Sequence, residues 1–298
     1  MTMPALRRAL CCLLVAPAGL LSGSGLWAQQ SPSVGIISPS QAGAKSMVPR
    51  IHTPTLPRVA YSRYPWRTDI VATVFWIGET PSGNNPTPNH SSSWDKDWAR
   101  NYGGFDNPDP TQRDANFCPV GFKPGLNPFY VALPYNDCLN YKTHKPEARF
   151  VIPWFSERYQ RPGKSVLRGQ WLAIRHGGRV CYAQWEDCGP FTTDDHEYVF
   201  GGARPSNGQN NGAGIDVSPA VRDYLGMSSG RRCDWRFVEA TEVPDGPWRN
   251  WGSNNTFVRA KQLQQTQQAQ QSTDRLEELR RIRDEYFKRY GNSQYRKF

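Results

Sequence analysis

The chain has 298 residues and a formal charge of +10, or +8 once the two arginines of the leader described below are removed. That length suits one main domain with appendages. The charge favours polyanions, yet no zinc-finger spacing, helix-turn-helix pattern or RNP-like aromatic strand accompanies it, so nucleic acid is excluded as the expected partner and anionic wall polymers or lipid headgroups remain.

Arg7 and Arg8, the apolar run Ala9 to Leu21 and the small-residue stretch ending at Ala28 have the layout of a secretory signal over residues 1–28, too short for an ordinary membrane span. Cys11 and Cys12 lie inside the apolar run rather than at its end, which is not how a lipid-attachment cysteine is placed. The expected mature chain is exported. Residues 29–66 are rich in Ser and Pro without apolar periodicity and read as a poorly ordered spacer. The main domain is expected over 67–251. Asp69 to Trp76 reads as its first strand, followed by Glu79, a candidate substrate-binding groove carboxylate from its place after that strand, and by a long polar loop over 81–128 that carries Trp94, Trp98, Tyr102 and Phe105. Loops of that length are either functional or disordered. Trp76, Trp94, Trp98 and Trp185 are candidates for stacking on sugar rings; a satellite hydrophobic cluster that ties the loop down is the other reading.

Phe129 to Pro134, Trp171 to His176, Arg179 to Asp187 and Trp235 to Val243 supply further strands. Gly177-Gly178 predicts a two-residue hairpin turn between the second and third of these. Strict alternation places Asp187 on the face of Cys181, Ala183 and Trp185. Gly189-Pro190 stops the strand. Ser218 as N-cap, Pro219 at the first helical position and Gly226 at the C-terminal side predict a short helix. Two carboxylates stand at these breaks, Asp187 at the strand end and Asp216 before the cap.

The five cysteines beyond the leader should pair where geometry allows in an oxidising compartment. Cys118 with Cys138, and Cys188 with Cys233, are the expected bridges, leaving Cys181 free and buried. With no C-x-x-C and no His at ligand spacing, no metal is expected, and the chemistry considered below needs no cofactor. Residues 252–298 begin with a Gln-rich linker, Gln262 to Gln271. A basic amphipathic helix then starts near Asp274, with Leu276, Leu279, Ile282, Tyr286 and Tyr290 at helical spacing. That helix has four open readings: docking on the barrel, on a membrane surface, on a protein partner, or a solvated tail.

The D-x-G-P-F of Asp187 to Phe191, followed by the G-I-D-V-S-P of Gly214 to Pro219 and its short helix, resembles the double-psi β-barrel of the rare lipoprotein A family. Expansins, family 45 endoglucanases and MltA-type lytic transglycosylases are more distant likenesses. The resemblance implies a mainly β fold, a six-stranded double-psi barrel flanked by one short helix, with Asp216 at the position of those families' catalytic or catalysis-like acid. Gly214-Ile215 departs from them, standing where a His- or Arg-aromatic pair often precedes the Asp.

Two expectations follow. The first is an enzyme that cleaves wall glycan, peptidoglycan above all, with Asp216 as general acid and Asp187 in support. The second is an expansin-like module that binds and loosens the wall without cleavage, its C-terminal helix recruiting a partner. Asp216 engaged by backbone amides would suit the second, and Asp216 buried without them the first.

Overall fold

The computed structural model describes residues 63–82, 85 and 87–291. The leader, most of the spacer and the last seven residues therefore lie outside the described residues. Among the described residues there are eight strands: β1 (Arg67–Val74), β2 (Tyr130–Leu133), β3 (Cys138–Asn140), β4 (Thr143–His144), β5 (Trp171–His176), β6 (Arg179–Cys188), β7 (Ala213–Val217) and β8 (Arg231–Val238). Six of them close into a barrel in the order β1-β7-β2-β6-β5-β8, while β3 and β4 form a separate ribbon. The pairs β1–β7 and β2–β6 are parallel and the other four antiparallel. This closed barrel of mixed direction is compatible with the double-psi arrangement.

The interior follows from alternation. Phe129 just before β2, Val131 and Leu133 of β2, Cys181, Ala183 and Trp185 of β6, and Ile215 and Val217 of β7 all point inward and are essentially inaccessible. The hairpin forms as its sequence predicts: Gly177 and Gly178 both take positive φ (54° and 83°), the twist that matches a right-handed strand pair. The short helix α5 (Pro219–Leu225) is capped as expected. Ser218 Oγ accepts from the Val221 N–H, and Gly226 ends it in the left-handed region.

The loop over 81–128 is a packed layer on the outside of the barrel. Its helix α1 (Trp98–Tyr102) lays Trp98 and Tyr102 against Phe75, Ile77, Leu126 and the outward-facing Tyr130 and Ala132 of β2. Asp106 anchors this layer. It accepts hydrogen bonds from Tyr102 Oη (2.9 Å), Tyr130 Oη (2.7 Å) and Arg113 Nη2 (2.5 Å), with no part of it exposed. The satellite-cluster reading of the loop aromatics therefore holds for Trp98 and Tyr102.

Two expectations need correction. The C-terminal helix, which we label α6 (Thr256–Tyr290), begins well before Asp274 and runs through the Gln-rich tract for 35 residues. Gln, Ala and Leu are good helix formers and no Gly or Pro interrupts them, while Asn255 caps the start by accepting from Phe257 N–H (3.0 Å). Only the first turn packs on the barrel, where Phe257 lies 5.5 Å from Trp171 between ring centroids. The second correction concerns the disulfides: Cys118, Cys138, Cys181, Cys188 and Cys233 are all thiols. Cys188 ends β6 and Cys233 lies on β8, and β5 stands between those strands. Register separates them further: Arg175 of β5 pairs with both Val180 and Asp234, so Cys233 is level with Arg179 at the start of β6 while Cys188 is at its far end, roughly 30 Å along the strand and beyond the reach of a bridge. Cys188 Sγ instead donates to the Tyr135 carbonyl (3.3 Å), and Cys138 Sγ lies 3.6 Å from Asp137 Oδ1.

Candidate active-site groove

The register of four strands builds the site. Thr73 of β1 pairs with Asp216 of β7, Asp216 with Ala132 of β2, and Ala132 with Asp187 of β6. Paired residues face the same way, so Thr73, Asp216, Ala132 and Asp187 form one row on the outer face of the barrel. Strand spacing sets the two aspartate backbones roughly 10 Å apart, with only an alanine methyl between them.

Asp187 reaches that row because β6 bulges. Val131 pairs with Trp185, but the next residue of β2, Ala132, pairs with Asp187, which leaves Glu186 as the extra residue. Alternation alone would have sent Asp187 into the interior with Trp185; the bulge turns it out to the groove. Glu186 is buried and held by Arg168 Nε (3.0 Å) and Asn254 Nδ2 (2.9 Å). A second shift in β1–β7, at Gly214, does the same for Asp216. A Cβ at Gly214 would come within 2.5 Å of Pro205 and 2.7 Å of the Tyr198 hydroxyl. Glycine at 214, where the resembling families carry a larger residue, is thus dictated by packing.

The row forms the floor of a groove of about 860 Å³, within the size range of small-ligand sites. Glu79, Asp187 and Asp216 line it, and among the described residues no Lys or Arg does. The turn after β6 forms one wall. Gly189 (φ 147°) precedes Pro190 in a cis peptide, and a Cβ there would sit 3.4 Å from Asp216 Oδ2, so the turn can pass close to the carboxylate because residue 189 has no side chain. Phe191 follows at φ 59°, in the left-handed region that aromatic residues rarely adopt, and is 42 % exposed at the groove.

The carboxylates differ in how they are held. Asp187 Oδ1 accepts from the backbone N–H groups of Ser93 and Cys188, both at 2.8 Å. Burial nevertheless pushes its pKa up to about 6, partly opposed by those amides. Asp216 receives no backbone amide; the Thr73 hydroxyl donates to its Oδ1. Its pKa is pushed up to about 7, first by burial and then by the negative charges of Asp187 and Glu79, with the Thr73 bond working the other way. Glu79 is also raised by burial, and accepts from Asn89 Nδ2 (2.9 Å). The helix α5 begins only after Ser218, and its free N–H groups do not reach Asp216.

Of the predicted site residues, Asp187, Asp216 and Glu79 are brought together. Trp98 and Trp185 are 1 % and 0 % exposed, which leaves no ring face for a sugar. Trp76 is half-buried and does not line the groove. Trp94 packs edge-on to Trp185 (5.9 Å), donates from Nε1 to Asn136 Oδ1 (3.1 Å) and faces a neighbouring cavity. The aromatics that line the groove are Phe75, which is buried, and the exposed Phe191, already present in the D-x-G-P-F motif. Thr73 was not singled out, since nothing in the sequence says which residue of β1 faces Asp216. Sequence spacing also hid one donor set: Asp137, Cys138 and His144 converge with ligand atoms within 4.8 Å of one another. His144 Nδ1 accepts from Gly163 N–H (3.3 Å) and Nε2 faces the Lys164 carbonyl (3.0 Å), so a divalent ion there would have to displace contacts that clasp the ribbon to its neighbouring loop.

A scan against protein-family models finds no match to this chain, and a search of curated proteins finds no significant relative.

Proposed function

We propose that this chain is an exported enzyme that cleaves wall glycan, with peptidoglycan as substrate and Asp216 as general acid, in the manner of rare lipoprotein A-like barrels. The observation that carries the reading is the state of Asp216: half-buried at the groove, close to two other carboxylates and bonded by a single hydroxyl. A carboxyl that keeps its proton near neutral pH can deliver it to the leaving glycosidic oxygen as the bond breaks. Asp187, fixed by two amides, supplies negative charge across the alanine gap as the sugar ring becomes oxocarbenium-like. Once the proton has left Asp216, the resulting carboxylate can take one back, either from a water or from the sugar's own hydroxyl. The second route gives an anhydro product and needs no hydrolytic water. Phe191 offers an apolar face for a ring beside the acid.

The test is incubation of peptidoglycan sacculi with the mature chain and with Asp216→Asn, followed by mass spectrometry of the released fragments. Anhydro-ended fragments from the native chain alone are expected. Reducing-end fragments would make it a hydrolase. If both proteins bind sacculi and neither releases fragments, the barrel is a binding module and the enzymatic reading fails.

A further inference from the structure

A second cavity of about 960 Å³ adjoins the groove, and Ser93 lines both. The partition between them is rigid. Ser93 N–H is bonded to Asp187 and the Trp94 carbonyl accepts from Arg168 Nη1 (3.2 Å), while the Trp94 ring is anchored on Asn136. A chain leaving the groove beside Asp187 can therefore cross this step directly into the second cavity.

The two cavities are opposite in charge. Among the described residues the groove has three carboxylates and no cation. The second cavity is lined by Arg158, Arg161, Lys164, Arg168 and Arg259 against Glu157, Glu186 and Glu239. Its carboxylates are already occupied: Glu186 by Arg168, Glu239 by the Tyr64 hydroxyl and Glu157 by Arg63. Among the described residues Arg161, Lys164 and Arg259 form no ion pair, the only side-chain bond of the three running from Lys164 Nζ to the neutral Gln160 Oε1 (2.6 Å). Arg161 and Lys164 come from the loop after Tyr159, and Arg259 comes from the first turn of α6, so unpaired cations stand on two separate elements around one space. The exposed rings of Tyr141 and Tyr159 add apolar faces, with Lys96 Nζ 4.8 Å from the Tyr141 ring centre.

We propose that this second cavity is a subsite for carboxylate groups on short peptide substituents of the glycan strand that occupies the groove. This rests on the glycan reading above. Cations dispersed over two elements suit several single charges spread along a flexible substituent better than one compact dianion. The acidic groove repels the same carboxylates, so the pair of cavities sorts a strand into a neutral sugar part beside Asp216 and an anionic part beyond Ser93.

The test compares Asp216→Asn with the same chain also carrying Arg161→Gln, Lys164→Gln and Arg259→Gln, so that strands survive the measurement. Titration calorimetry would use glycan strands bearing their peptides, the same strands stripped by an amidase, and the free acidic peptide. Thermal melts and circular dichroism of both proteins verify that the substitutions leave the fold intact. The expected result is a loss of about tenfold in affinity for peptide-bearing strands, with the salt dependence lost as well, and unchanged affinity for stripped strands. Equal affinities of the two proteins for peptide-bearing strands, or equal losses on both strand types, would overturn the subsite. If stripped strands bind neither protein but the free peptide binds only the chain with its cations intact, the subsite stands and the glycan reading of the groove falls.

Discussion

Asp106, fully buried, and Asp216, half-buried at the groove, are both acids on the outer face of one barrel, and they are treated in opposite ways. Asp106 has an arginine and two tyrosine hydroxyls arranged around it. Asp216 has one threonine hydroxyl, and its charged neighbours are of its own sign. A fold that surrounds one carboxylate with donors and leaves a half-buried one at a groove with a single protein donor and a raised pKa points to use at the second. Asp106 holds the loop layer in place, while the pKa of Asp216 is pushed up to about 7.

The largest effect that sharpens this contrast is on rate. Asp216→Asn, which keeps shape but cannot donate a proton to the leaving oxygen in the same way, should lower glycan cleavage about 100- to 10,000-fold, measured as fragment release per hour. Asp106→Ala should do the reverse. It strands Arg113 in the interior and should cost about 3–5 kcal/mol in a denaturant melt, while the fraction that remains folded keeps its turnover.

The next effect is on the pH dependence of stability. The folded-state pKa of Asp216, about 7, lies above the roughly 3.9 of an unfolded chain. The native state thus binds more protons between those values, and its stability falls as pH rises through that window. Asp216→Asn removes this loss. It should melt higher than the native chain at pH 8, by about 1–2 kcal/mol after allowance for partial solvent access, with the gain vanishing near pH 4. A variant that is less stable at pH 8 would show that Asp216 serves the fold as Asp106 does.

Smallest is the Thr73 contribution. Thr73→Val removes a bond to the ionised form, so the alkaline limb of the pH–rate profile should move up by about half a unit. A downward shift would mean that the hydroxyl does not hold the charged form.

Much of this arrangement was legible in the sequence, and the parts that were not share a cause. The hairpin at Gly177-Gly178, the Ser218–Gly226 helix and the two acids at chain breaks carry local signals, and local signals survive folding. β7 carried none: Ala213 to Val217 is a five-residue strand with a bulge at Gly214, which erases the alternation by which strands are recognised. The bulge at Glu186 likewise reversed the facing of Asp187. Sequence left Trp98 open between a sugar platform and a packed cluster, and Trp185 a platform candidate, because exposure cannot be inferred from residue type on a long loop or a strand end. The helix start was misplaced because a polar tract was taken for a linker, although glutamine is a good helix former. The expected cysteine pairs rest on an oxidising compartment and on a loop staple for Cys118–Cys138 and a brace of the site turn for Cys188–Cys233, and barrel order and register decide against the bridge between β6 and β8.

The central claim is that the groove keeps Asp216 protonated near neutral pH. It is tested most directly by following the carboxyl carbon of Asp216 by NMR through a pH titration, in the native chain and in Asp187→Asn. The account predicts a transition near pH 7 in the native chain that moves down when the neighbouring charge is removed. A transition near pH 4 that ignores Asp187 would contradict it, and Asp216 would then be a solvated anion unable to act as the acid.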